Sequence, residues 1–153
     1  MKKIIFVILG LFMLSTSVAL SAGSDSSDQV VKPSSYNKAV KLIKKEKFNE
    51  AIEILESILK KNKYQKDPDI LNYYAFSLRK TKQLEKAETY YKKALDIDPE
   101  HRGVLEYIGE LYVDTNRIDL AKKVLQKLEK CRCPEFAELQ RLLLLLAGVK
   151  HAE

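Results

Sequence analysis

Apolar and small residues recur along this chain at a fixed long interval, and within each interval they recur at helical spacing. The stretch Pro68 to His101 reads PDILNYYAFSLRKTKQLEKAETYYKKALDIDPEH, and the stretch from Arg102 reads RGVLEYIGELYVDTNRIDLAKKVLQKLEKCRCP. The two align without a gap at a period of 34 residues. Leu71 matches Leu105, Tyr74 matches Ile108, Ala75 matches Gly109 and Leu78 matches Tyr112. Further on, Ala87 matches Ala121, Tyr91 matches Leu125 and Ala94 matches Leu128. A weaker copy upstream places Ala39, Leu42, Ala51, Leu55 and Ile58 at the same positions, with a Lys-rich link over 60–66 that is two residues longer. Each copy predicts two amphipathic helices joined by a short turn, in EKFNEA, TKQLEKA and TNRIDLA. Small residues where the helices cross let their backbones approach, and large residues between them fill the remaining space. One pair cannot bury its apolar face, so successive pairs are expected to stack. Asp67-Pro68 predicts an N-cap followed by Pro at the first helical position.

This pattern resembles the tetratricopeptide repeat. That family has large residues at repeat positions 4, 7, 11 and 24, small ones at 8, 20 and 27, and often Pro at 32. The second copy fits with Leu71, Tyr74, Ala75, Leu78, Ala87, Tyr91, Ala94 and Pro99. The third keeps Gly109 and Ala121 but has Leu128 at a small position, and its Pro134 falls one place late. The first has Ser35 and Lys38 at two large positions, which predicts a degenerate end repeat. The resemblance implies an all-α, antiparallel helix-pair solenoid over 35–150, with repeats at about 33–66, 68–101 and 102–134 and a capping helix over 135–149. It also implies a non-enzymatic module that binds a peptide or helix of a partner protein in a concave groove. Carried onto this chain, the groove positions include Asn72, Tyr73, Phe76, Arg79, Glu106, Tyr107 and Glu110. Tyr73, Phe76 and Tyr107 are candidate aromatic anchors. Arg79 and Lys80 beside Glu106 and Glu110 have a plainer alternative, pairing with each other across adjacent helices. Asn72 and Arg79 only partly match the carboxylate clamp of chaperone-binding members.

The first residues carry a different signal. Lys2-Lys3, the apolar run Ile4 to Leu14, and small residues at Ser15, Ser17, Ala19, Ser21 and Ala22 form the three-part layout of a secretory signal peptide over 1–22. Cleavage after Ala19 or Ser21 leaves small residues at both recognition positions; Ala22 is a third candidate. The alternative is an uncleaved anchor, although the run is short for a membrane span. Residues 23–34 are small and polar, as in a flexible lead-in. LNYYAFSLRK (71–80), HRGVLEYIGELY (101–112) and the Cys131/Cys133 pair followed by Glu135, Phe136, Glu138 and Leu139 are together similar to small exported tetratricopeptide proteins of Gram-negative bacteria, which implies a periplasmic location.

Beyond the third copy, EFAELQRLLLLLAGV places Phe136, Leu139, Leu142, Leu143 and Leu146 on one stripe, expected to cover the end of the stack. Leu144 and Leu145 fall outside that stripe, which leaves a deep cap or a self-association face as readings, the latter giving a homodimer. Cys131 and Cys133 are the only cysteines. Export makes a disulfide the default expectation. Intermolecular pairing, and thiol-redox or copper chemistry, are the alternatives, because two thiolates can hold a soft metal. A closed zinc site wants four ligands, and nothing in the sequence brings His101 or His151 near the cysteines, so no metal ligand is assigned.

Charge changes the picture little. Residues 23–153 hold 25 basic against 21 acidic side chains, a net of +4, and only five of the basic residues are Arg. Such a surface does not point to nucleic acid. No Gly-rich phosphate loop, H-E-x-x-H pair or nucleophile–base pair is present, so no catalytic residue and no cofactor are assigned.

Overall fold

A computed structural model describes residues 31–148; the signal-peptide reading and the start of the lead-in lie outside the described residues, as does His151. Seven α-helices account for the fold among the described residues: α1 (Ser34–Lys44), α2 (Phe48–Leu59), α3 (Pro68–Lys80), α4 (Leu84–Ile97), α5 (Arg102–Asp114), α6 (Ile118–Leu128) and α7 (Pro134–Leu146). Short 3-10 turns at Asn62–Tyr64 and Glu129–Cys131 complete the links.

Consecutive helices pack as antiparallel pairs, α1 with α2, α3 with α4 and α5 with α6. The odd-numbered helices also touch one another along the row, α1 with α3, α3 with α5 and α5 with α7. Such a row is the inner layer of a helix-pair solenoid, and its outward-facing side is the concave face. The core runs through the stack as the periodic residues predict. Ala75, Leu78, Ala87, Tyr91, Ala94 and Ala121 are fully buried, and Leu71 and Leu105 nearly so.

The turn inside each pair repeats its geometry. Lys47 N–H donates to the Leu42 carbonyl, Gln83 N–H to Leu78, and Arg117 N–H to Tyr112. These are the long-range bonds of a Schellman motif, which needs a left-handed residue just past the helix end. Glu46, Lys82 and Asn116 take that role at φ 58°, 64° and 55°, without a glycine at any of the three. Only Asn adopts this conformation readily.

The ends of the α3–α4 pair use local chemistry. Asp67 Oδ1 accepts from Ile70 N–H at 3.1 Å and Pro68 begins α3, as the Asp-Pro pair predicts. The longer link before it is organised by Tyr64, whose ring is 4% exposed. Its hydroxyl lies 3.4 Å from the Val31 carbonyl. The periodicity did not mark this residue, since it lies between repeats.

The degenerate first repeat still forms both helices. Ala39 and Ala51 are fully buried at their contact. Tyr36 packs edge-on to Tyr73 at 5.9 Å between ring centroids, joining α1 to α3 in place of the missing large residues.

Helix α7 stands where the first helix of a fourth pair would stand, against α5 and α6. Leu139 is fully buried, and Phe136 and Leu143 pack against the core. The reason is Gly109. A Cβ built on Gly109 would lie 2.5 Å from Leu139 Cδ2, so the absence of a side chain makes the notch that Leu139 fills. One apolar assignment is corrected. Leu146, placed on the core stripe, is 58% exposed beside Leu145 at 52%. Among the described residues, no fourth outer helix covers the last turn of α7. Leu144, expected outside the stripe, is half-buried.

Candidate functional site

The concave face is built on α3, α5 and α7. Tyr73 and Phe76 from α3 and Tyr107 from α5 are half-buried on it. The Phe76 and Tyr107 rings lie 4.7 Å apart at a 45° tilt, and Phe48 meets Phe76 edge-on at 6.0 Å. Lys80 Nζ stands 5.3 Å from the Phe76 centroid, in cation–π range. Together these make a ladder of partly open rings running from Tyr36 to Tyr107. Burial, with the nearby Glu106 carboxylate next in importance, pushes the Tyr107 phenol up to about 12.

Two sequence-level candidates are placed below this surface. Arg79 is 5% exposed and Asn72 is 5% exposed. The Arg79 guanidinium donates to Asp114 Oδ2 at 2.8 Å and to Glu110 Oε2, so it ties α3 to α5. Burial opposes its charge, while Glu110 and then Asp114 hold its pKa above the ordinary value. The pairing reading of Arg79 is therefore the observed one, and as an open groove contact Arg79 is corrected. Glu110 is a partner in that bridge, with its side chain 18% exposed. The Asn72 carboxamide lies against Gly103 on α5, 3.3 Å from where a Cβ would be, and its Oδ1 accepts no hydrogen bond. Neither group is positioned as an open carboxylate clamp.

A second link between α3 and α5 was not legible in the sequence. His101 Nδ1 accepts from Val104 N–H at 3.2 Å and so caps α5, while Nε2 faces Asp69 Oδ1 at 3.0 Å. The cap requires the tautomer with its proton on Nε2. Lys32 Nζ adds an ion pair to Asp69 at 2.7 Å. The hydrogen bond from His101, then Lys32, holds the Asp69 carboxyl well below the usual carboxylate range. The period would have revealed only that positions 69 and 101 lie near successive helix starts.

The α5/α7 half of the face is acidic. Burial, reinforced by Glu110, Glu135 and Glu138, raises the Glu106 carboxyl to about 7. Glu138 is drawn below its ordinary value by Arg141, which it meets at 2.6 Å. Glu135 Oε2 is buried without a hydrogen-bond partner. A cavity of about 380 Å³ opens at the end of this half, between Arg79, Lys80, Glu110, Asp114, Glu138 and Leu142.

Away from the face, Cys131 and Cys133 form a disulfide, with Cα atoms 5.1 Å apart. Arg132 between them sits in the left-handed region at φ 47°. Of the three outcomes open to the pair, the intramolecular bridge is the one present. Among the described residues, no group of three or more His, Cys, Asp or Glu is placed to hold a metal ion. No helix among them is long and apolar enough to cross a membrane.

Comparisons with known proteins bear on the fold. Residues 78–146 match the family model described as tetratricopeptide repeat, a span that takes in α4, α5, α6 and α7. No curated protein matches the chain significantly. Among solved structures, a tetratricopeptide repeat protein from Parabacteroides merdae superposes at TM-score 0.63 with 22% identity, over 74% of this chain and 44% of that one. The chain thus spans less than half the length of that protein. The first TPR of Spaghetti (RPAP3), bound to the HSP90 peptide SRMEEVD, superposes at TM-score 0.63 with 22% identity over 74% of this chain and 90% of that one. A chain of the CopN–Scc3 complex gives TM-score 0.57 with 16% identity, over 73% and 66% of the two chains. These likenesses show the fold. With the 34-residue period and the paired helices, they show a tetratricopeptide-type helix-pair solenoid, of which residues 78–146 match the tetratricopeptide-repeat family model.

Proposed function

We propose that this chain is an exported, non-enzymatic binding module that seats a cationic segment of a partner protein on its concave face. The observation that carries this reading is the juxtaposition of open rings and unneutralised carboxylates. Tyr73, Phe76 and Tyr107 supply rigid apolar surface with π-faces, which attract cations as well as apolar side chains. Glu106 lies beside them, crowded by other acids and without a hydrogen-bond donor among the described side chains. A lysine or arginine brought to Glu106 would relieve that crowding.

The neighbour Spaghetti (RPAP3) supports binding of a peptide by this architecture, and the difference in chemistry is instructive. Its bound peptide, SRMEEVD, is acidic at its end. Here Arg79, the buried guanidinium of this face, is already held by Glu110 and Asp114. The acids of α5 and α7 would repel such a peptide. Export rests on the layout of residues 1–22, and a periplasmic setting on the resemblance to small exported tetratricopeptide proteins of Gram-negative bacteria.

A photo-crosslinking residue placed at Tyr73, and another at Lys93 on the outer helix α4, would test the assignment in the exported, tagged chain. Partner capture at Tyr73 and not at Lys93 is expected, with loss of capture in Glu106→Lys. Capture that is equal at both sites, or undiminished in Glu106→Lys, would sink the groove reading.

A further inference from the structure

The Cys131–Cys133 bridge presents Cys131 on the wall of a cavity of about 520 Å³ on the side where α4 and α6 end and α5 begins, apart from the aromatic face. Its floor is apolar, with Leu105 and Leu128, both almost fully buried. Its rim holds three exposed cations, Arg102, Lys127 and Lys130, against one acid, Glu100. A concave space of this size suits a small molecule, and the excess positive charge suits an anion. The two sulfurs are presented unequally. Cys131 is exposed and lines the cavity, whereas Cys133 is 6% exposed. Cys133 is also the N-cap residue of α7, where the helix dipole and the unpaired N–H groups of the first turn favour a thiolate. Glu135 in that turn opposes this, so the difference in exposure is the stronger discriminator.

We propose that this bridge is a thiol–disulfide exchange site for small anionic thiols, with Cys131 Sγ as the atom attacked and Cys133 as the departing thiolate. The thiolate of the incoming molecule gives its electron pair to Cys131 Sγ and forms a new S–S bond. The Cys131–Cys133 bond breaks, and its electron pair leaves on Cys133. A second thiolate then attacks the substrate sulfur of the mixed disulfide and releases Cys131 as a thiolate. Two substrate thiolates are thereby oxidised to one disulfide, and the protein bridge is reduced to two thiolates. Arg102, Lys127 and Lys130 hold the anionic thiol over the exposed sulfur and offset the negative charge that gathers there.

The test uses the folded, oxidised chain and two probes, glutathione as an anionic thiol and cysteamine as a cationic one, compared at equal thiolate concentration. The wild type should react about tenfold faster with glutathione, the size of effect that a few exposed charges exert on an encounter. The variant Arg102→Gln/Lys127→Gln/Lys130→Gln should lose that preference, since all three side chains are exposed and their replacement leaves the core intact. Trapping with an alkylating agent and peptide mass mapping should place glutathione on Cys131 and the alkyl group on Cys133. Equal rates for the two thiols, glutathione mapped to Cys133, or a bridge that resists both thiols until the chain is unfolded would each overturn the proposal.

Discussion

The two seams of the inner row are built on opposite principles. Between α3 and α5, opposite charges meet at both ends: Asp69 with His101 near the helix starts, and Arg79 with Glu110 and Asp114 near the helix ends. Between α5 and α7, like charges meet, with Glu106 raised to about 7 partly by Glu110, Glu135 and Glu138. That seam is held instead by Leu139 in the notch at Gly109. The first seam joins repeats of standard length and neutralises itself. The second joins a repeat to a terminal helix, and it leaves carboxylates unpaired on the face where a partner would bind. A network of opposite charges tied across two helices favours rigidity, whereas residual acid on a half-open surface favours recognition.

The largest effect is expected at the apolar notch. Leu139→Ala should destabilise the chain by about 3 kcal/mol, the ordinary cost of emptying a fully buried leucine site. Urea unfolding measures this, and a loss under ~1 kcal/mol would mean that α7 is not held at Gly109. Arg79→Met should cost about 2 kcal/mol, because it strands Glu110 in a mostly buried position. Adding Glu110→Leu should recover most of that loss; an additive double variant would show that the two residues are not coupled.

The acidic seam makes a pH-dependent prediction. A carboxyl whose folded pKa is raised binds its proton more tightly in the folded state than in the unfolded one. Stability is therefore lost as pH rises from the ordinary glutamate value towards about 7. Glu106→Gln should remove that loss and stabilise the chain by about 1 kcal/mol at pH 8, after allowance for the partial exposure of the group. Below about pH 4.5 the gain should vanish, since both states are then protonated. A gain that does not change between pH 5 and 8 would mean that the carboxyl titrates normally. The smallest effect belongs to the turns. Lys82→Gly should gain about 0.5 kcal/mol, because relief of the left-handed strain at φ 64° slightly exceeds the entropy that glycine loses on folding. No change, or a loss, in thermal unfolding would show that Lys82 is unstrained.

Much of this molecule was legible along the chain because burial in a solenoid is periodic. Ala75, Gly109 and Leu71 could be assigned from spacing alone, as could the helix start at Asp67-Pro68. Contacts that cross between repeats were not legible in the same way. Arg79 was readable either as a groove residue or as a partner of its neighbours, since both roles use the same helix face. His101 appeared as a lone histidine, and only its cap on Val104 N–H, with Asp69 opposite its other nitrogen, defined its tautomer and its task. Leu146 shows the limit of a helical stripe, which continues past the point where the stack has ended.

The sequence by itself determined the 34-residue unit, the pairing of its helices and the fold class, because these follow from local periodicity and from small residues at fixed crossings. Only the tertiary structure decided which charges on the inner face are spent on one another and which remain open. It also decided which of the two sulfurs faces a cavity and which is buried. Those properties depend on the distance and exposure of groups some 30 residues apart or on separate helices, and chain spacing alone does not set either quantity.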